Sequence, residues 1–435
     1  MNFGILVLLI ALLLFGLLAF KQISALILAP LVSVFVIVCS GLPILDSLKN
    51  LFMPNASAYV TSYFLTFFVG ALFGAVYQHT GAAESISKTL AGLCKGKFVA
   101  PIIMTITGIL TYGGVSGFVV FFVIYPIALN MFKEANLTRR LIPGAISAGC
   151  WTWSMYGPGS PSIQNVIAMT NLNTPSTAAL IPSLIATVGT YILIFVWLEG
   201  RSRSFTKKGY GFIDNSLKFQ LSDSEMAMDN DKELPSFVVS MIPIVLILVC
   251  FNILKLPVET AVFFGVIAAT ILMWKYVGNF NKWLAVFNEG AANSGVSILN
   301  TAIVVGFGGV VKATQGFTDL VAMLKTFNMP SLVFVMITVA ICAGACGSAS
   351  GGMGVAFNAL TETYIELGAN LEHVHRIAAI AAGTLDSLPH QGAQITLLGI
   401  CKLTHKEAYF DIFITQIVIP FIACGLFIVF ASMGL

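Results

Sequence analysis

Residues 383–394 read GTLDSLPHQGAQ and interrupt an apolar run that extends from 374 to 402. Asp386, Ser387, Pro389, His390 and two glycines fall within ten residues. Hydrocarbon penalises the ionisable side chains by several kcal/mol. Irregular, polar backbone is tolerated at membrane depth only where protein or water surrounds it. The stretch therefore marks a site inside a membrane, and the rest of the chain must wall it in.

Composition supports that setting. Of 435 residues, 57% are hydrophobic and 9% are charged, whereas soluble domains carry roughly 25% charged residues. The chain reads as an all-α polytopic membrane protein surrounded by lipid. A net charge of +3, with no basic run interleaved with aromatics, gives no footing for a nucleic-acid partner. The eight cysteines lie mostly in apolar segments, without a CxxC pair or a nearby histidine cluster. They read as small buried thiols, and neither a metal nor a cofactor is expected.

Apolar segments appear near 3–20, 24–42, 58–78, 98–132, 141–170 and 176–198, and again near 237–254, 257–274, 291–311, 330–366, 374–402 and 407–433. Residues 1–198 and 236–435 form two repeats of one plan, joined by a polar cytoplasmic connector, 199–235. A shift of 234 positions superimposes their landmarks. GGVSG at 113–117 falls on GSASG at 347–351, and Ala135-Asn136-Leu137 falls on Ala369-Asn370-Leu371. Over 113–149 there are ten identities in 37 positions without a gap. The repeat also argues for keeping 3–20 as a spanning helix, because its counterpart is 237–254.

In each repeat one segment, 98–132 or 330–366, is too long for one crossing and short for two. Each is expected to be a re-entrant hairpin with its tip at 113–117 or 347–351. The following segment breaks at YGPGSPS (156–162) or at DSLPHQG (386–392), giving a discontinuous helix. Five crossings per repeat invert the second copy relative to the first, as in many secondary transporters. Lysine and arginine then divide seventeen to five between the two faces. The richer face is expected to be cytoplasmic, with both termini outside.

Helix ends at the interruptions expose unpaired amides that suit an anion. Ser116, Gly117, Ser348, Ser350 and Gly351 at the tips are candidates to bind a carboxylate or hydroxyl. So are Gly159 and Ser160 at the first break, and Ser387, His390 and Gln391 at the second. Close helix packing is the plainer use of such glycines and serines. Asp386 is the one acid placed in mid-membrane. Low-dielectric surroundings disfavour its anion, which suits it to load and release a proton. His390 is a second candidate for proton coupling or substrate binding, against a packed, satisfied histidine. Trp151 and Trp153 are candidate walls, against plain packing; Gln164, Asn165 and Gln394 are candidate polar lining; and Arg376 either draws anions to the outer mouth or, more plainly, is a surface charge there.

GGVSG, the Gly-Pro-Gly-Ser-Pro break, and GTLDSLPHQGAQITLLG followed by LTHKEAY resemble the gluconate:H+ symporter (GntP) family. The likeness spans most of the chain and is specific in those stretches. It implies proton-coupled uptake of small hydroxy-carboxylates across a bacterial inner membrane. It also implies an elevator-like transport domain moving against a homodimeric scaffold. Gluconate carriers read His-x-Asn-Asp-Ser-Gly at the last break. Here Asp386 and Ser387 match, but Leu388-Pro389-His390 follow, which favours a shorter acid such as 3-hydroxybutyrate. Sodium coupling is the alternative within transport. An intramembrane aspartyl enzyme, which needs a second facing carboxylate, and a channel are the alternatives outside it.

Overall fold

The computed structural model describes residues 2–21, 23–94, 97–112, 117–160, 162–222, 233–254, 256–324, 326 and 329–434. Regular structure among them is helical throughout. The first half runs α1 Phe3–Phe20, α2 Ala25–Cys39, α3 Ile44–Thr80, α4 Ala82–Cys94, α5 Val99–Tyr112, α6 Gly117–Glu134, α7 Ile142–Trp151, α8 Ile163–Leu172 and α9 Leu180–Lys207. The second runs α10 Phe237–Asn252, α11 Val258–Leu272, α12 Phe280–Lys312, α13 Gln315–Leu324, α14 Ser331–Cys346, α15 Ala349–Glu366, α16 Leu371–Leu385, α17 Gly392–Ile400 and α18 His405–Ser432. Helices α1, α3, α9, α12 and α18 are long and apolar enough to cross a bilayer. This is a multi-pass membrane protein.

Helix boundaries recur between the halves near the 234-residue shift, and some of their chemistry recurs with them. Asn2 caps α1 by accepting from the Gly4 amide, and Ser236, 234 positions on, caps α10 by accepting from the Val239 amide. Each satisfies a donor that the helix start leaves unpaired. Contacts are exchanged crosswise. Helix α1 packs on α13 and α10 on α4, while α2 packs on α12 and α11 on α3. The first pair touches backbone to backbone: a Cβ on Gly4 would lie 2.6 Å from Gly316 Cα. The two longest helices, α3 and α12, lie against each other along the centre.

Helices α5 and α6 pair, as do α14 and α15; most of the first expected tip, 113–116, lies outside the described residues. The second pair is the tighter: a Cβ on Gly352 would meet Ala343 Cα at 2.2 Å. The breaks also fall where the sequence puts them, between α7 and α8 and between α16 and α17.

The connector begins as helix, because α9 continues to Lys207. Its next stretch is docked onto the protein. Phe212, Leu217 and Leu221 are buried, and the Phe212 amide donates to Asn136 Oδ1. Arg140 pairs with Asp214 at 2.8 Å. Burial alone would lift the Asp214 carboxyl. Hydrogen bonds from Ser216 and Arg140 outweigh it and hold the group below the usual carboxylate range. A second ion pair joins Arg201, in α9, to Asp411, in α18, at 2.7 Å.

One sequence expectation is overturned. Arg376 is not a surface charge at an outer mouth: it is fully buried. The cause lies in the first half, which supplies enough acceptors there to desolvate a guanidinium.

Candidate functional site

The two breaks lie on either side of one arrangement, and their local chemistry differs. In the first, α7 stops at Trp151 and a single turn, Trp153–Tyr156, follows. Gly159 turns the chain at φ +84°, and its amide donates to the Ser176 carbonyl at 2.9 Å. Ser162 then caps α8. Asn165 holds this loop: its amide nitrogen donates to the carbonyls of Ser160 at 3.0 Å and Met155 at 3.2 Å. Its carbonyl oxygen accepts from Arg376 at 2.8 Å and from His375 at 3.1 Å. The Arg376 guanidinium also donates to Ser183 Oγ and to the carbonyls of Tyr156, Ser176 and Ala178. Two adjacent side chains of α16 thus fasten the break of the other half.

The second break is held from its far side. Tyr409 donates to the Ser387 carbonyl at 2.8 Å, and His405 donates to the Pro389 carbonyl at 2.9 Å. Both come from the start of α18. Gln391 restarts the helix by accepting from the Gln394 amide at 2.8 Å. Asp386 is 6% exposed. Its carboxylate accepts from Ser387 Oγ at 3.2 Å and Gln391 Nε2 at 3.5 Å, and it faces the Ala349 amide at the start of α15. Ser387 and Gln394 converge on Gln416 Oε1 at 3.0 and 2.7 Å. A buried polar chain therefore stands behind the acid.

In front of Asp386 lies a cavity of about 430 Å3. Gly347 to Ser350 of the second hairpin tip, Gly117 of the first tip, and Gln391 to Ala393 border it. Ser162 and Gln164 add polar groups from the restart of α8. Tyr59, Tyr63, Phe118 and Trp151 form an aromatic wall, with the Tyr59 and Tyr63 rings 4.6 Å apart. At the second tip Gly347 adopts φ +60°, and Ser348 caps α15 by accepting from the Gly351 amide at 3.2 Å. The site thus offers hydroxyls, amides and one buried carboxylate on one side and rings on the other.

Of the residues expected from sequence, the cavity gathers Gly117, Ser348, Ser350, Asp386 and Gln391, with Trp151 and Gln164. Ser116 lies outside the described residues. Gly351 and Ser387 stand next to lining residues rather than on the wall, and Gly159 and Ser160 stay within the first break, off the cavity. His390 sits behind the tip. Its Nε2–H donates to the Gly344 carbonyl at 2.9 Å, and its ring packs edge-on against Phe15 at 5.8 Å. Trp153 packs on Tyr191, away from the cavity. Asn165 serves the first break instead of the lining.

Sequence reasoning missed Tyr59, Ser62, Tyr63, Thr66 and Thr301, which line the cavity, and Glu259, a second carboxylate on its wall. A signal for the first four was present. Residues 59, 62, 63 and 66 follow the i, i+3, i+4, i+7 spacing of one helix face, so α3 carries a polar and aromatic stripe. Glu259 stands in the first turn of α11, where an acid suits the helix dipole. Nothing in the local sequence separates that role from cavity lining.

Comparison with known proteins adds two relatives. The chain is 34% identical to a Bacillus subtilis (strain 168) protein named uncharacterized transporter YxjC, over 450 aligned positions covering 93% of this chain and 95% of that one. It is 24% identical over 357 positions to a Haemophilus influenzae protein also named an uncharacterized transporter, covering 80% of this chain and 79% of that one. No family profile matches the chain.

Proposed function

The chain belongs to the transporter family that includes YxjC, and on that premise we propose that it is a secondary active transporter that couples proton entry to uptake of a small hydroxy-carboxylate. The observation that carries this reading is the placement of Asp386. It stands at a broken helix, on the wall of the cavity, against the start of α15. An acid so placed binds a proton and senses whether an anion occupies the tip beside it. Outside, Asp386 takes a proton and the hydroxy acid docks on the tip hydroxyls and amides. The loaded hairpin and broken helix then move toward the cytoplasm, where acid and proton leave. The aromatic wall suits the short carbon chain of an acid such as 3-hydroxybutyrate. The site lies in a bacterial inner membrane, with both termini outside and two copies forming the scaffold.

The test is uptake of labelled 3-hydroxybutyrate and gluconate by proteoliposomes with an imposed pH gradient. Wild type accumulates the acid above the external concentration. Asp386→Asn is expected to equilibrate it and no more; full accumulation by that variant would end the proton-carrier role. Tip hydroxyls and carbonyls also suit Na+. Replacing Na+ by choline at a fixed pH gradient separates the two couplings, and loss of uptake on that exchange would favour sodium.

A further inference from the structure

The cavity wall carries two carboxylates, Asp386 and Glu259, yet the proposed cargo is an anion. With Asp386 protonated, Glu259 still opposes it, so the site needs a cation to make anion binding favourable. Arg376 is unsuited, because neutral acceptors of the first break occupy its guanidinium. Lys312 meets the requirement. It ends α12, is exposed, and has no carboxylate partner among the described residues. Helical side chains lean toward the N-terminus of their helix, so Lys312 reaches back along α12 by about one turn, toward Gly308. Helix α12 comes close enough to the tip for that reach: a Cβ on Gly308 would lie 2.7 Å from the Cys346 carbonyl oxygen.

Gly351 completes the arrangement. A Cβ built there would lie 3.1 Å from Lys312 Nζ and 3.2 Å from Ser348 Oγ. The ammonium therefore occupies the space that any other side chain at 351 would claim, beside the hydroxyl that faces the cavity. The geometry points to Lys312 as the residue that pairs with the carboxylate of the transported acid at the second hairpin tip, and so selects monoanionic over neutral cargo. The 234-residue shift puts the uncharged Gln78 at the matching place in the first half. This rests on the carboxylate reading of the site and adds the group that fixes its charge.

Trp151 on the cavity wall gives a readout, namely its fluorescence during titration of purified protein with 3-hydroxybutyrate and with gluconate. Lys312→Gln is expected to weaken the bound acid about ten-fold or more, the loss typical of one charge-assisted hydrogen bond. Lys312→Arg is expected to stay within a few-fold of wild type. Both variants should unfold at the wild-type temperature without ligand, since the side chain is exposed. Wild-type affinity in Lys312→Gln would overturn the assignment while leaving carboxylate transport standing. A wild type that binds neither acid, nor any short hydroxy-carboxylate, would overturn both. The pH-gradient assay on Asp386→Asn judges proton coupling separately.

Discussion

The two breaks share a plan and have opposite electrostatics. The first, at 156–162, is closed by a cation from the other half: Arg376 and Asn165 together occupy its free carbonyls. The second, at 386–391, has its carbonyls satisfied from α18 by Tyr409 and His405 and keeps an acid facing the cavity. Carbonyl ends of a broken helix attract positive charge. One break has that demand met permanently by a guanidinium. The other has a carboxylate in the same neighbourhood, the group to which the proposed function assigns the coupled proton. On the proposed function, the two breaks divide into a fixed member and a working member.

The largest expected effect follows from that division. Asp386→Asn removes the working charge and should abolish accumulation driven by a pH gradient in proteoliposomes, with little change in folding. If Thr152→Val, at the position that the 234-residue shift puts opposite Asp386, does as much damage to coupling, the division fails. Arg376→Leu should act on stability instead. It leaves several buried acceptors without a donor, at about 1–3 kcal/mol for each one that stays unmade. A loss of about 3 kcal/mol or more is expected in detergent unfolding. Arg376→Lys should not restore it, since a single ammonium cannot reproduce the planar fork.

Smaller effects probe the hairpins and the connector. Gly352→Ala forces the helices of the second hairpin apart and should cost about 1–3 kcal/mol as overpacking, read by the same unfolding. The first hairpin has Phe118 at the matching position, on the cavity wall, so Phe118→Ala should alter uptake rather than folding. The connector clasp gives the smallest effect. The folded Asp214 carboxyl is held below its unfolded value. Its contribution is therefore complete above the unfolded value of about 3.9 and is lost as pH falls through the folded one. Protection from hydrogen exchange over 208–222, relative to the unstructured rate at each pH, should fall in acid. Protection that stays unchanged down through the carboxylate range would show that Arg140–Asp214 does not hold the segment.

The helical plan was legible because it is written in features that act locally. Gly and Pro mark the breaks, Gly and Ser mark the tips, and a fixed shift carries both into the second half. Asp386 and Ser348 were legible as sites because hydrocarbon leaves polar groups few excuses. Arg376 was misread for the same reason. Its charge looked like that of a residue near water, and the acceptors that bury it come from residues about 200 positions away. His390 stands beside Asp386 in sequence, yet Gly347 and Phe15 hold it behind the tip. Proximity along an unwound chain says little about which way a ring faces. Glu259 was missed because its placement depends on α11 packing against α3, a contact between halves.

The crosswise exchange of α1 and α10 has a consequence for how the protein can be taken apart. In each half the first two helices pack on the other half as well as on each other, so each half expressed alone would present a bare face where its partner's helices belong. Genes for residues 1–222 and 233–435, expressed together, should therefore reassemble into a working carrier, while either alone should be degraded. The link between them would then serve only to set equal supply of the two pieces.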